Sequence, residues 1–397
     1  MNTMGPLEVE PLASELSRIQ QRSVVVGVVA LALCLAGALA FHSMTDFLRS
    51  YLLGFLFWLG IALGCLAVLM LQHLTGGQWG LVIRRILESG AGTLPLTYVL
   101  VLPLVLGLHQ LYDWSRPGEM PGGPVNQVYL NARFFLARMA FYFVSWFLLA
   151  HFLTKWSREQ DETADLALLN RFQSLSGGGL VLYGLTITFA SVDWVMSLEP
   201  HWASTIYGML FMTEQALAAL AFVIAVLMLL CRRKPLSDFV GPSHFHDLGT
   251  LMFAFIMLWA YVTFSQFLII WSGNLLDEIP WYLRRFAGGW LWVALAIVLF
   301  HFGLPFLLLL QRTLKRNMQM IATVAVFLLA VRLVNLSWMI LPAPTRNQAV
   351  GRFSWMDLAA PIGIGGIWIA LFIRQLKSRP LLPLHDPRLQ TASVQHE

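Results

Sequence analysis

The sequence predicts an all-α, polytopic membrane protein of about ten transmembrane helices, on two observations. Of its 397 residues, 58% are hydrophobic and only 12% are charged, against about 45–50% and about 25% in soluble domains. The apolar residues are also gathered into runs long enough to cross about 30 Å of hydrocarbon, which takes about 20 helical residues. Inside lipid each backbone N–H and C=O must be satisfied within its own segment, so these runs are expected as helices.

The expected spans are 23–42, 51–72, 94–112, 133–155, 179–198, 205–231, 247–272, 286–310, 318–341 and 355–375. The first 22 residues carry Glu8, Glu10 and Glu15 beside only Arg18 and Arg22. A cleavable signal peptide has a basic start and a small-residue cleavage site, so the first span is expected to be retained. After the second span, "QWGLVIRRILES" (78–89) mixes apolar residues with Arg84 and Arg85 and reads as an interfacial helix on the cytoplasmic face. The third span closes on "YDWSRP", and "VYLNARFF" (128–135) opens the fourth. The fifth closes on "SVDWVMSLEP", where Trp194 and Trp202 are expected at the interface and Glu199-Pro200 ends the helix. The sixth holds "FMTEQAL" (211–217), and the seventh opens on "FHDLGT" (245–250) and continues into "WAYVTFSQF" (259–267). The eighth contains His301, the ninth Arg332 and Asn335, and the tenth "APIGIGGIWIA" (360–370). From residue 376 the chain is polar and Pro-broken, a docking or loose segment.

Most of the 26 Lys and Arg residues fall in the N-terminal segment, the loops after even-numbered spans and the tail. By the positive-inside rule both termini are cytoplasmic. The net charge of +5 reflects that asymmetry and gives no reason to invoke nucleic acid. Trp-Ser followed by Tyr-Leu and Arg-Phe occurs at 114–134 and again at 271–286, and "SVDWVM" is echoed by "NLSWMI" (335–340). An echo four spans apart predicts a parallel duplication of spans three to five (94–198) in spans seven to nine (247–341). Asp193 then aligns with Ser337, so the acid belongs to one copy only.

Cys34, Cys65 and Cys231 stand alone, which excludes an iron–sulfur cluster and c-type haem attachment on ligand count. The ten His residues are scattered and do not supply facing pairs for b haems. No metal site is expected, and any electron carriers belong to other subunits.

An ionisable side chain within a span costs about 2.5–3.5 kcal/mol on insertion scales unless paired or hydrated. Asp193 and Arg138 lie at matching depths from the outer ends of spans five and four and are plausible partners, as a structural ion pair or as part of a proton relay. Arg332 and Asn335 share a face of span nine. Glu214 lies near the middle of span six with no basic residue a turn away, which favours a functional reading. His301, His246 and Asp247 lie on the cytoplasmic side; His301 is equally readable as a hydrogen-bonded structural residue. Together these groups sample the graded depths that a proton path requires. Asp357 reads as an interfacial cap. In span seven Trp259, Thr263 and Gln266 share one face, and Tyr261 and Ser265 another. Such faces line quinone headgroup pockets or hold helices together, and both readings stand.

"SVDWVMSLEPHWASTIYG" (191–208), "FSQFLIIWSGNLLDEIPWYLRR" (264–285) and "YLNARFFLARMAFY" (129–142) resemble the NrfD-like, polysulfide-reductase-like membrane subunits, and most nearly the second such subunit of bacterial alternative complex III. The likeness runs over most of the chain. It implies two four-helix bundles flanked by two extra helices, no redox centre in this chain, and a place in a quinol:cytochrome c or quinol:oxidase oxidoreductase of the inner membrane. The implied partners are a homologous NrfD-like subunit, an iron–sulfur subunit and multihaem c-type cytochromes, with quinone as a ligand and proton conduction as a proposed role. Asp193 falls in the family's aspartate–tryptophan motif, and His246 and Asp247 in the stretch opening span seven.

The leading reading is therefore an energy-transducing subunit of a quinol-oxidising complex, enzymatic only as part of that complex. A proton-coupled secondary transporter is the alternative, for which 360–370 is the one candidate broken helix. A purely structural membrane anchor is the third.

Overall fold

The computed structural model describes residues 10–383 and 386, apart from 42, 117–127, 164, 166, 235 and 346–349. Ten helical stretches among them are long and apolar enough to cross a membrane. Spans one and two are α1 (Glu10–Ala40) and α2 (Met44–Thr75). Span three is broken into α3 (Gln78–Ala91), α4 (Leu94–Leu100), α5 (Leu102–Leu106) and α6 (Leu108–Leu111). Spans four to seven are α7 (Ala132–Thr163), α8 (Ala167–Trp194), α9 (Tyr207–Leu230) and α10 (Pro242–Gly273). The short α11 (Ile279–Phe286) leads into span eight, where α12 (Trp290–Ile297) and α13 (Leu304–Leu310) are joined by a π-helical turn, Val298–Gly303. After α14 (Arg312–Arg316) come span nine, α15 (Met318–Ile340), and span ten, α16 (Met356–Lys377).

Spans two to five form one four-helix bundle and spans six to nine a second. They meet along α2 and α9, while α1 and α16 pack on each other and against α2. Close backbone approach fixes both seams. A Cβ on Gly64 of α2 would collide with the Gln215 carbonyl of α9 and lie 2.8 Å from Ala219 Cβ. One on Gly27 of α1 would lie 2.8 Å from the Gly363 carbonyl of α16. In lipid, where apolar burial does not drive helices together, such small-residue contacts are a main source of packing energy. The glycines of 360–370 thus serve packing, and α16 runs through Pro361 without a break. The interruptions lie in spans three and eight.

The two ends of the molecule are defined by their contacts. At one, Arg233 pairs with Glu15 at 2.6 Å and Lys377 donates to Ser17 at 2.9 Å. This is called the basic end below. At the other, Arg49 donates to the Ala343 and Pro344 carbonyls at 2.7 and 2.6 Å. There too Asp357, the expected cap, accepts from the Ser354 backbone N–H and from Ser50 Oγ of α2, both at 2.6 Å.

The segment 78–89 is not a surface helix. It is the first half of span three, and its charges face inward: Arg84 is fully buried, and Arg85 and Glu88 nearly so. Glu88 pairs with Arg84 at 3.0 Å, Arg85 at 2.7 Å and Arg379 at 3.2 Å, and accepts from Ser157 at 2.6 Å. Arg85 also pairs with Asp161 at 2.5 Å, and Arg84 with Asp386 at 3.1 Å. Mutual neutralisation offsets the desolvation that kept these arginines outside in the sequence reading. Arg379 and Asp386 seat the start of the tail, which is therefore not loose there; the rest of it lies outside the described residues. Outside the spans, burial lowers the Arg379 pKa and the Glu88 carboxylate opposes that shift.

Candidate functional site

The first constellation is at the end opposite the basic one, in the first bundle. Asp193, in the last turn of α8, is fully buried. Arg138 of α7 meets it through both arms of its guanidinium, Nε to Oδ2 at 3.0 Å and Nη2 to Oδ1 at 2.6 Å. Tyr142, one turn further along α7, donates to Oδ2 at 2.8 Å. Arg138 also donates to the Tyr129 carbonyl at 2.9 Å and lies 3.8 Å over that residue's ring. A two-pronged, charge-assisted contact is the strong form of this interaction, so the partnership expected from matching depth is present. Trp194 and Trp202, expected at the interface, are both buried within the protein, and Trp202 stacks on Trp281 of α11 with centroids 4.7 Å apart. Ser337, at the echo position, donates to its own helix at the Leu333 carbonyl, 2.8 Å away.

The second constellation is in the second bundle. Glu214 is fully buried about two turns into α9. Its counter-ion is Arg332 of α15, paired with Oε2, and Asn335, one turn along the same helix, donates to Oε1. Trp259 of α10 donates its indole N–H to Oε1 at 2.9 Å. Glu214 therefore has a cation after all, brought from another span, which the absence of a basic residue one turn away on α9 could not reveal. The Trp259 ring stacks on His301, centroids 4.1 Å apart and planes 9° from parallel. His301 is fully buried in the π-helical turn, and neither ring nitrogen has a hydrogen-bond partner among the described residues. It is not the hydrogen-bonded structural histidine that the sequence allowed. A π turn is a frequent feature of functional sites.

Beside Glu214 is a cavity of about 20 Å³, lined also by Trp259, Thr263, Gln266, Trp281 and Tyr282. Thr263 Oγ1 and Gln266 Oε1 are buried without a hydrogen-bond partner among the described residues. The space suits a water molecule, which needs at least about 10–15 Å³; ligand pockets run to about 300–1,000 Å³, so a quinone ring does not fit in this conformation. Tyr261, two residues from Trp259 and so on another face of α10, is 68% exposed and does not reach the cavity. His246 and Asp247 lie on the partly exposed start of α10 at the basic end, 3.5 Å apart, away from Glu214. Five of the seven expected groups thus fall into two separate clusters, Asp193 with Arg138 and Glu214 with Arg332 and His301, while His246 and Asp247 lie apart from both. Among the described residues no direct hydrogen bond joins Asp193 to Glu214. Between the bundles, Tyr183 of α8 donates to Gln215, next to Glu214, at 2.8 Å.

A third cluster escaped the sequence reading. Glu199, expected only to end a helix, is buried and accepts from Arg285 at 2.8 Å and from Arg284. Arg285 also donates to the Met339 carbonyl at 2.7 Å, and its guanidinium lies 3.6 Å over the Trp281 ring. Burial lowers the Arg285 pKa and the Glu199 carboxylate opposes it. The available signal was the tandem Arg284-Arg285 beside two aromatics. Compared with known proteins, the chain matches no family model and no curated protein.

Proposed function

We propose that this chain is a proton-handling membrane subunit of a quinol-oxidising respiratory complex of the alternative complex III type. The observation that carries the proton-handling part is the setting of Glu214. This carboxylate borders a water-sized cavity with unmatched polar atoms and accepts from an indole that stacks on a histidine without a hydrogen-bond partner among the described residues. Quinol oxidation releases two protons with two electrons, and buried acids and imidazoles are the groups that relay them. The respiratory part rests on the resemblance of 129–142, 191–208 and 264–285 to NrfD-like subunits. In this reading the electron carriers, iron–sulfur clusters and c-type haems, sit in partner subunits. The basic end faces the bacterial cytoplasm, and Asp193 with Arg138 serves the opposite face. The alternative transporter reading has 360–370 as its candidate broken helix, and α16 is continuous there, the interruptions lying in spans three and eight instead.

The test is purification from native membranes of chains carrying the charge-neutral double substitution Glu214→Gln/Arg332→Met. Copurification of haem- and iron–sulfur-bearing subunits, with quinol oxidation retained and the protons delivered per electron to the face opposite the basic end at least halved, is the expected result. A chain that purifies alone sinks the complex reading. Undiminished proton delivery per electron to that face in an assembled complex sinks the proton-handling role.

A further inference from the structure

Between α10 and α12, the segment 275–287 is bounded by Asn274 at φ 47° and Gly288 at φ 56°, left-handed conformations at both its borders. A Cβ at Gly288 or Gly289 would meet nothing within 4 Å, so open space surrounds the second border at these two positions. The segment carries the eight-residue α11, whose faces differ sharply. Trp281, Tyr282 and Arg285 point inward and are buried, whereas Leu276 and Leu283 on the outside are exposed. Trp281 and Tyr282 form part of the wall of the Glu214 cavity. What holds α11 down comes from two directions: from the loop after α8, through Glu199, gripped by Arg284 and Arg285, and Trp202, stacked on Trp281, and from α15 and α10, through the Met339 carbonyl, Trp338 and Phe267.

We propose that segment 275–287 is a lid over a hydrated cavity that ends on Glu214, hinged at Asn274 and Gly288 and latched on Glu199. Buried donors and acceptors left unmatched are destabilising, and the Gln266 and Thr263 oxygens beside the cavity give a water its partners. With the lid down, no larger solute fits. Release of the Glu199 latch frees α11 to swing on its two borders and connects the cavity to the end opposite the basic one. The lid rests on the proton-handling reading for its purpose; its test reads water access alone, so each can fail without the other.

The test is cysteine accessibility in the full chain, purified in its native assembly and reconstituted in sealed vesicles of defined sidedness. Cys34, Cys65 and Cys231 are replaced by Ala and Thr263→Cys is introduced into the cavity wall. A charged methanethiosulfonate is the probe, and Leu276→Cys on the outer face of the segment serves as the reference. With the latch intact the cavity thiol is expected to react at least about a hundredfold more slowly than the reference. Glu199→Gln is expected to speed it at least about tenfold, equivalent to about 1.4 kcal/mol, and only from the Glu199 side. Arg284→Gln, which leaves the Arg285 contact in place, is expected to give a smaller rise and decides the matter if Glu199→Gln does not accumulate. Unchanged cavity labelling in the latch variant that folds, or labelling from the basic end, overturns the lid.

Discussion

Removing one partner of the Glu214–Arg332 pair should destabilise the second bundle asymmetrically. Both side chains are buried between α9 and α15, and stranding a buried charge costs about 3–5 kcal/mol. Glu214→Gln keeps an acceptor for Trp259 and Asn335 but leaves the guanidinium uncompensated, and arginine cannot shed its proton. The full 3–5 kcal/mol is therefore expected. Arg332→Met leaves a carboxylate still held by two donors, and that carboxylate can neutralise itself by taking up a proton. A smaller loss, about 1–3 kcal/mol, is expected there. The double variant removes both charges and should recover most of the stability lost in Glu214→Gln, since an apolar replacement of a buried pair is often neutral. Denaturation in mixed micelles, followed by tryptophan fluorescence, gives the three free energies. The reasoning is refuted if Glu214→Gln lies within about 0.5 kcal/mol of the parent, or if the double variant equals the sum of the singles within that margin.

At the first constellation, Arg138→Met should lower unfolding stability by about 3–5 kcal/mol, while Arg138→Lys, which keeps charge but loses the two-pronged contact, should lose about half as much; unfolding in the same micelles ranks them. Gly64→Val drives side-chain atoms into the Gln215 carbonyl and should cost about 1–3 kcal/mol or more through overpacking, read as a lower thermal midpoint. Asp386→Asn leaves Arg84 with Glu88 as its remaining ion-pair partner among the described residues. It should cost about 1–3 kcal/mol and hasten limited proteolysis of the C-terminal segment, whereas unchanged cleavage would mean that the tail is not seated through this pair.

The ten spans were legible because crossing hydrocarbon is a local demand: each run must be apolar over its own length, whatever its neighbours do. The Arg138–Asp193 pair was legible for a related reason, since consecutive spans joined at one end place residues of equal depth side by side. The α10 face of Trp259, Thr263 and Gln266 followed from helical spacing alone.

Helix rotation and the choice of distant neighbours were not legible, because both are set by packing between spans far apart in sequence. Arg84 and Arg85 look interfacial until Asp161 and Asp386 are brought round them. Glu214 looks unpaired until α15 turns Arg332 towards it, and Glu199 looks like a helix terminator until α11 folds back over it. Sequence by itself determined how often this chain crosses the membrane and which charges must be accounted for there. The tertiary structure decided which charge answers which, because a buried ion is stabilised by whatever stands within a few ångströms of it, and that distance belongs to the packed bundle.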